Sequence, residues 1–275
     1  MPSPPDPIQR NFGAAAEDYA RHRPGFPARL VELLEERCAL PQAPADALDL
    51  GTGTGTLARQ WARQGYRVTG LDPDVRMLQA AAMQGEEEGF SMAWVQGTAE
   101  ALPFPDQSFD LISAGQCWHW FEAPQACAEI RRCLRPGGMV VVAHYDWLPD
   151  PGSLAAATEA LILKHNPQWQ LGGGDGLHPK AAEDLRRAGF ASCERVHEIV
   201  AQPFRPEDWR GRIRASVGIA ASLDAAQVQA FDRELAALLA QDFPGEVLEL
   251  PHRLDLTLAH QSPRPGSRFS SPSTS

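Results

Sequence analysis

The stretch "ALDLGTGTGTLA", residues 47–58, constrains the fold of this chain more than any other. A short apolar run holding one carboxylate, Asp49, leads directly into glycines at every second position, Gly51, Gly53 and Gly55. The helical stripe Leu57, Ala58, Trp61, Ala62 follows. Glycine enters the left-handed backbone region freely, so such a turn joins strand to helix tightly and lets a ligand approach the main chain. "YRVTGLD" (66–72) reads as the next strand, which completes a βαβ unit.

The same alternation runs on. A helical face at Leu30, Leu33, Leu34 and Cys38 precedes the unit. A helix near 74–83, strands at 91–97 and 109–115, a helix over 125–134 and a strand at 139–145 follow it. The apolar strands among them read as buried on both faces. "RPGG" (135–138) predicts a helix stop, with Gly137 or Gly138 in the left-handed conformation. Beyond lie a helix at 153–165, a Gly-rich loop at 171–176, a helix over 181–190, and alternating strands at 192–200 and 246–260. The expected fold class is α/β, a doubly wound, mostly parallel sheet. Residues 1–10 and 261–275, rich in Pro and Ser, read as disordered tails around a single domain over 11–260. Its ligand-binding core is expected at 40–146. Segments 11–39, 150–180 and 205–243 would supply a helical cap, since forty residues between neighbouring strands exceed a turn.

Composition removes several classes of function. The formal charge of −10, with no basic block, argues against nucleic acid as a partner. Five cysteines without a Cys-x-x-Cys indicate neither a zinc site nor a disulfide framework, and no metal site is expected. No run approaches the ~20 apolar residues that span a bilayer. A soluble cytoplasmic chain, monomeric by default and without a membrane partner, is the expectation.

Glycines alone do not choose a ligand, because ATP, NAD, flavins and S-adenosylmethionine (SAM) all use such turns. "GTGTGTL" lacks the lysine of an ATP loop, and Thr56 interrupts the G-x-G-x-x-G/A pattern of NAD sites. Asp49 lies where a dinucleotide would put its pyrophosphate, and like charges repel there. SAM has no phosphate; its sulfonium and ammonium groups are cationic. Asp49 either attracts such a ligand directly or caps the turn. Asp72, at the end of the second strand, is placed to accept from ribose hydroxyls, or else caps the helix that follows.

"LDLGTGTGTLA", "GLDPD", "GTAEALPFPDQSFDLISAGQCWHWF" and "LRPGG" together resemble the class I SAM-dependent methyltransferases. The nearest branch acts on small molecules and includes the trans-aconitate and ubiquinone/menaquinone-pathway enzymes. The resemblance covers 12–146 and implies a Rossmann-like, seven-stranded sheet with one antiparallel strand. It implies SAM as cofactor, S-adenosylhomocysteine (SAH) as product, and a small-molecule acceptor methylated by in-line displacement. It sets Gly51, Gly53 and Gly55 against SAM, Asp49 near its amino-acid end, and Asp72 on the ribose. Thr98, Ala99 and Glu100 would flank the adenine, with Leu71 and Leu102 on its faces. Gln116 would reach the methionine portion, and Tyr19 and Arg23 would belong to an amino-terminal cover. Relatives often carry Asp where Thr98 stands.

Methyl transfer needs alignment, and needs a base only if the nucleophile must lose a proton. His119 in "QCWHWF" is the candidate base, or else a structural hydrogen bonder at the start of a helix. His144, Tyr145, Asp146 and Trp147 end the fifth strand. Trp169, His178, Trp209, Arg210, Arg212 and Arg214 are further candidates for an acceptor pocket. "SAGQ" replaces the Asn/Asp-Pro-Pro-Tyr element of amino-methylating nucleic-acid enzymes. The alternatives are a protein that senses SAM without turnover, and an NAD(P)-dependent oxidoreductase.

Overall fold

The computed structural model describes residues 25–37, 40–216, 218–220 and 222–261. Tyr19, Arg23, the two expected tails up to residue 10 and from 262, and the first part of the amino-terminal cover lie outside them.

Seven strands form one sheet: β1 Asp46–Leu50, β2 Arg67–Asp72, β3 Ala93–Gln96, β4 Phe109–Gly115, β5 Leu134–Trp147, β6 Ser192–Phe204 and β7 Leu248–His260. Their order is β3-β2-β1-β4-β5-β7-β6. β1 pairs in parallel with β2 and with β4, β4 with β5, and β2 with β3. β7 runs antiparallel to both β5 and β6, and is the sheet's one reversed strand. Between β1 and β4 the chain changes its direction of travel across the sheet. In open α/β sheets the crevice at the strands' carboxyl ends beside such a point takes the ligand.

Helices α1 Arg29–Arg37 and α2 Thr56–Arg63 cover one face. There Leu30, Leu34 and Trp61 join Leu111, Val141 and Leu256 in a buried cluster. Helix α3 is Val75–Glu87. α4 Ala123–Cys133 and α6 Pro179–Arg187 cover the opposite face, packing Cys127, Ile130 and Leu185 on Ile112, Val140 and Val142. A separate cluster joins α5 Leu154–His165, α7 Pro206–Arg214 and α8 Ala225–Asp242 to the ends of β6 and β7. It is centred on the fully buried Trp209 and Phe231.

"RPGG" departs from the expected helix stop. α4 ends at Cys133, and Leu134 is already extended and pairs with Phe109. The glycines instead accommodate an irregularity in β5: pairing resumes at Leu111 with Met139, and Gly137 takes φ +80° within it. The four cysteines among the described residues are unbridged, and Cys117, Cys127 and Cys133 are buried. No helix among the described residues is long and apolar enough to cross a membrane.

Candidate functional site

The glycine turn leaves β1 at the carboxyl edge of the sheet, beside the point where the winding reverses. Gly51, Gly53 and Gly55 all take left-handed φ, at +56°, +55° and +75°. They are not equivalent. A Cβ on Gly51 would come 2.9 Å from Cys117 Sγ and one on Gly55 2.9 Å from Trp94, whereas one on Gly53 would meet nothing within 4 Å. The outer two glycines are packing requirements, and the middle one faces open space.

Two carboxylates hold this turn. Asp49 is 1% exposed, accepts from the hydroxyls of Thr52 and Ser113 at 2.7 Å each, and so serves the turn in the capping sense. Burial pushes its carboxyl up to about 6, against the pull of those two bonds. Asp72, 8% exposed, accepts from the Gly53 N–H and the Asp74 N–H, at 2.9 Å each, one on each oxygen. Burial also raises its pKa. Each Asp72 oxygen keeps a second lone pair for a further donor. The helix cap considered for Asp72 belongs to Asp74, whose side chain accepts from the Arg76 N–H.

Beside Asp72, the chain leaving β3 makes a tight turn in which the Ala101 N–H donates to the Thr98 carbonyl at 3.3 Å. Thr98 is exposed, Ala99 is buried with Leu71 and Leu102, and Glu100 accepts from the Glu122 N–H at 2.9 Å. Across the crevice, Gln116 follows β4 at φ +58°. Its side-chain amide donates to the Tyr145 carbonyl at 2.6 Å and to Asp146 Oδ1 at 3.3 Å. His119 is exposed on the 3₁₀ turn Trp118–Trp120, its ring 4.7 Å from that of Trp120. The described members of the expected set thus line one edge, around the ends of β1, β2, β3 and β4.

The acceptor-side candidates divide. Trp209 is core, donating to the Thr158 hydroxyl at 3.1 Å, while Arg210 and Arg214 both pair with Asp232 of α8. Arg212 instead lies 5.1 Å above the Trp147 ring. His178 approaches the end of β5, with its Nε2 2.7 Å from Asp146 Oδ2. Ser113 and Thr52 were not singled out from sequence. The available signal was Asp49 itself, since a carboxylate in a buried strand needs donors, and Ser113 is its neighbour across the β1–β4 ladder.

A groove of about 710 Å³ lies at the opposite edge, where the strands begin. Its charged groups are already matched: Asp46 pairs with Arg67 at 2.7 Å and with Arg135 at 2.8 Å.

Residues 48–142 match the family model described as methyltransferase domain. An uncharacterized methyltransferase of Schizosaccharomyces pombe is 32% identical over 202 residues, covering 73% of this chain and 76% of the relative. An uncharacterized methyltransferase of Mycobacterium tuberculosis is 37% identical over 131 residues, 46% of this chain and 49% of its own; the match spans about half the relative's length. Among solved structures, phosphoethanolamine N-methyltransferase 2 of Haemonchus contortus, in complex with S-adenosyl-L-methionine, is similar at TM-score 0.54 and 19% identity. That match covers 95% of this chain and 60% of the other, and concerns the fold. With its Rossmann-like sheet and these relatives, the chain belongs to the class I methyltransferase family.

Proposed function

We propose that the chain is a SAM-dependent methyltransferase acting on a small-molecule acceptor. One observation carries this: Asp49, 1% exposed, lies beneath the glycine turn, close to where a dinucleotide would need to place its pyrophosphate. In a site of low dielectric that carboxylate repels an anion and favours a ligand cationic at sulfur and nitrogen. The SAM complex of the similarly folded Haemonchus contortus enzyme supports the same ligand.

On this reading Asp72 takes the ribose hydroxyls on its remaining lone pairs, and Gly53 offers the open side of the turn. Ala99, Leu71 and Leu102 bound the adenine beside Thr98 and Glu100. Gln116, anchored on the end of β5, flanks the methionine portion. When bound, SAM supplies a methyl carbon already activated by its sulfonium. The chain's task is then to align the acceptor on that carbon and exclude water. The helices of the third cluster, α5, α7 and α8, cover the acceptor side beyond β5 and β7. The formal charge of −10, with no basic block in the sequence, favours a small acceptor over a polyanion.

The test is incubation with methyl-labelled SAM and a metabolite extract. Label in a new small product is the expected result. Binding of SAH without any transfer would contradict the catalytic reading.

A further inference from the structure

Sequence separates Asp146 and His178 by 32 positions, and the Gly-rich loop brings them together. Within that loop Gly176 takes φ +70° against Arg253 of β7, where a Cβ would come within 2.9 Å of the arginine Cβ. The Leu177 N–H donates to Asp175 Oδ1 at 2.9 Å and the His178 N–H to Asp255 Oδ2 at 2.7 Å, which fixes the main chain entering α6. The His178 ring then lies flat on the buried His144, centroids 3.7 Å apart and planes 11° apart. Its Nε2 is 2.7 Å from Asp146 Oδ2. A carboxylate accepts, so Nε2 carries the proton and Nδ1 carries the lone pair. The other oxygen of Asp146 accepts from Gln116, whose neighbour Cys117 packs on Gly51 of the glycine turn. An oriented imidazole is therefore linked through Asp146 to Gln116, the residue proposed to flank the methionine portion, and 38% of its own side chain remains exposed to a solute.

Two of the charged groups near it are paired. Asp255 pairs with Arg195 of β6 at 3.0 Å, and Lys180 of α6 pairs with Asp184 at 3.0 Å. Burial pushes the His144 imidazole down to about 3, so it stacks on His178 as a neutral ring. Asp146 stays below the usual carboxylate range: burial would raise it, but the hydrogen bonds from His178 and Gln116 act against that.

We infer that His178, oriented by Asp146, takes a proton during methyl transfer, and that the acceptor is accordingly a hydroxyl compound, an alcohol or a phenol. The inference rests on the methyltransferase reading above. The acceptor oxygen forms its bond to the methyl carbon as the carbon–sulfur bond breaks, and that electron pair stays on sulfur to give SAH. The hydroxyl proton passes to Nδ1 of His178, the resulting imidazolium is held by Asp146, and water then removes the proton. A carboxylate or thiolate acceptor has no proton to give, and would leave this oriented pair without a role.

The experiment measures transfer from methyl-tritiated SAM into a metabolite extract, with SAH binding followed by calorimetry. The wild-type chain is expected to yield a product stable to mild base. His178→Ala is expected to lose transfer by about 100-fold or more while keeping its SAH affinity, and added imidazole restores part of the rate. Asp146→Asn, which presents the wrong tautomer to the ring, loses about tenfold or more and gains nothing from imidazole. His178→Ala transferring at the wild-type rate, or losing transfer without imidazole rescue, overturns the inference alone. So does a product that releases labelled methanol in mild base, the mark of a carboxylate acceptor. A wild-type chain that neither binds SAH nor transfers label overturns the methyltransferase reading, and this inference with it.

Discussion

Asp49 carries a charge in a place that folding alone would leave neutral. Its pKa, raised by burial from 3.8 to about 6, means the folded state holds the proton more tightly than the unfolded state. The stabilising contribution of that proton is complete below the unfolded pKa and disappears as pH rises through about 6. At neutral pH the carboxylate is ionised at the expense of stability, which fits a group kept for a cationic ligand. Asp49→Asn removes the titration. Urea unfolding should show the variant gaining on wild type by about 1.5 kcal/mol between pH 5 and pH 8, while its affinity for SAM falls; an unchanged difference across that range would refute the assignment. The glycines separate at the same scale. Gly51→Ala drives a methyl into Cys117 as well as straining φ, and should cost about 2–3 kcal/mol. Gly53→Ala meets no neighbour, so it should cost about 1 kcal/mol yet weaken SAH at least as much as Gly51→Ala weakens the fold. Thermal melts with and without SAH distinguish the two.

Elements whose period and punctuation agree were readable in advance. β1, the glycine turn and α2 fall where the apolar run, the glycines and the Leu57–Trp61 stripe put them. "RPGG" was not readable, because glycine after a helical stripe serves equally as a helix stop or as an irregularity in an incoming strand, and only the β4 partner decides. His178 beside Asp146 was hidden for a related reason. Each was visible as a polar group near the end of the fifth strand or in the later loop, but their contact depends on how 171–176 bends over β7. The cap helices make a prediction of their own. Trp209 anchors a cluster distinct from the one under the glycine turn, so Trp209→Ala should lower stability by about 3–5 kcal/mol. With folded variant, SAH affinity should remain within about threefold, roughly 0.6 kcal/mol; a larger loss in calorimetry would tie the cap to the cofactor edge.

Across the whole molecule, the reversal of winding between β1 and β4 gathers residues from distant parts of the chain at one carboxyl edge. Asp49, Asp72, Ala99 and Gln116 come from the ends of four different strands or the turns after them. Alternation of strand and helix was enough to foresee a doubly wound sheet, since helices must cover both faces of buried parallel strands. The insertion of β7 between β5 and β6 rests on long-range pairing that alternation does not encode; family resemblance implied one antiparallel strand among seven, without its place in the order. This edge should hold a cationic nucleoside in preference to an anionic dinucleotide. Calorimetric titration of the wild-type and Asp72→Asn chains with SAM, SAH and NADH tests it most directly. Saturable binding of SAM and SAH to wild type, markedly weaker binding to Asp72→Asn, and no heat from NADH are predicted. Saturable binding of NADH with none of SAM or SAH would instead make this edge a dinucleotide site.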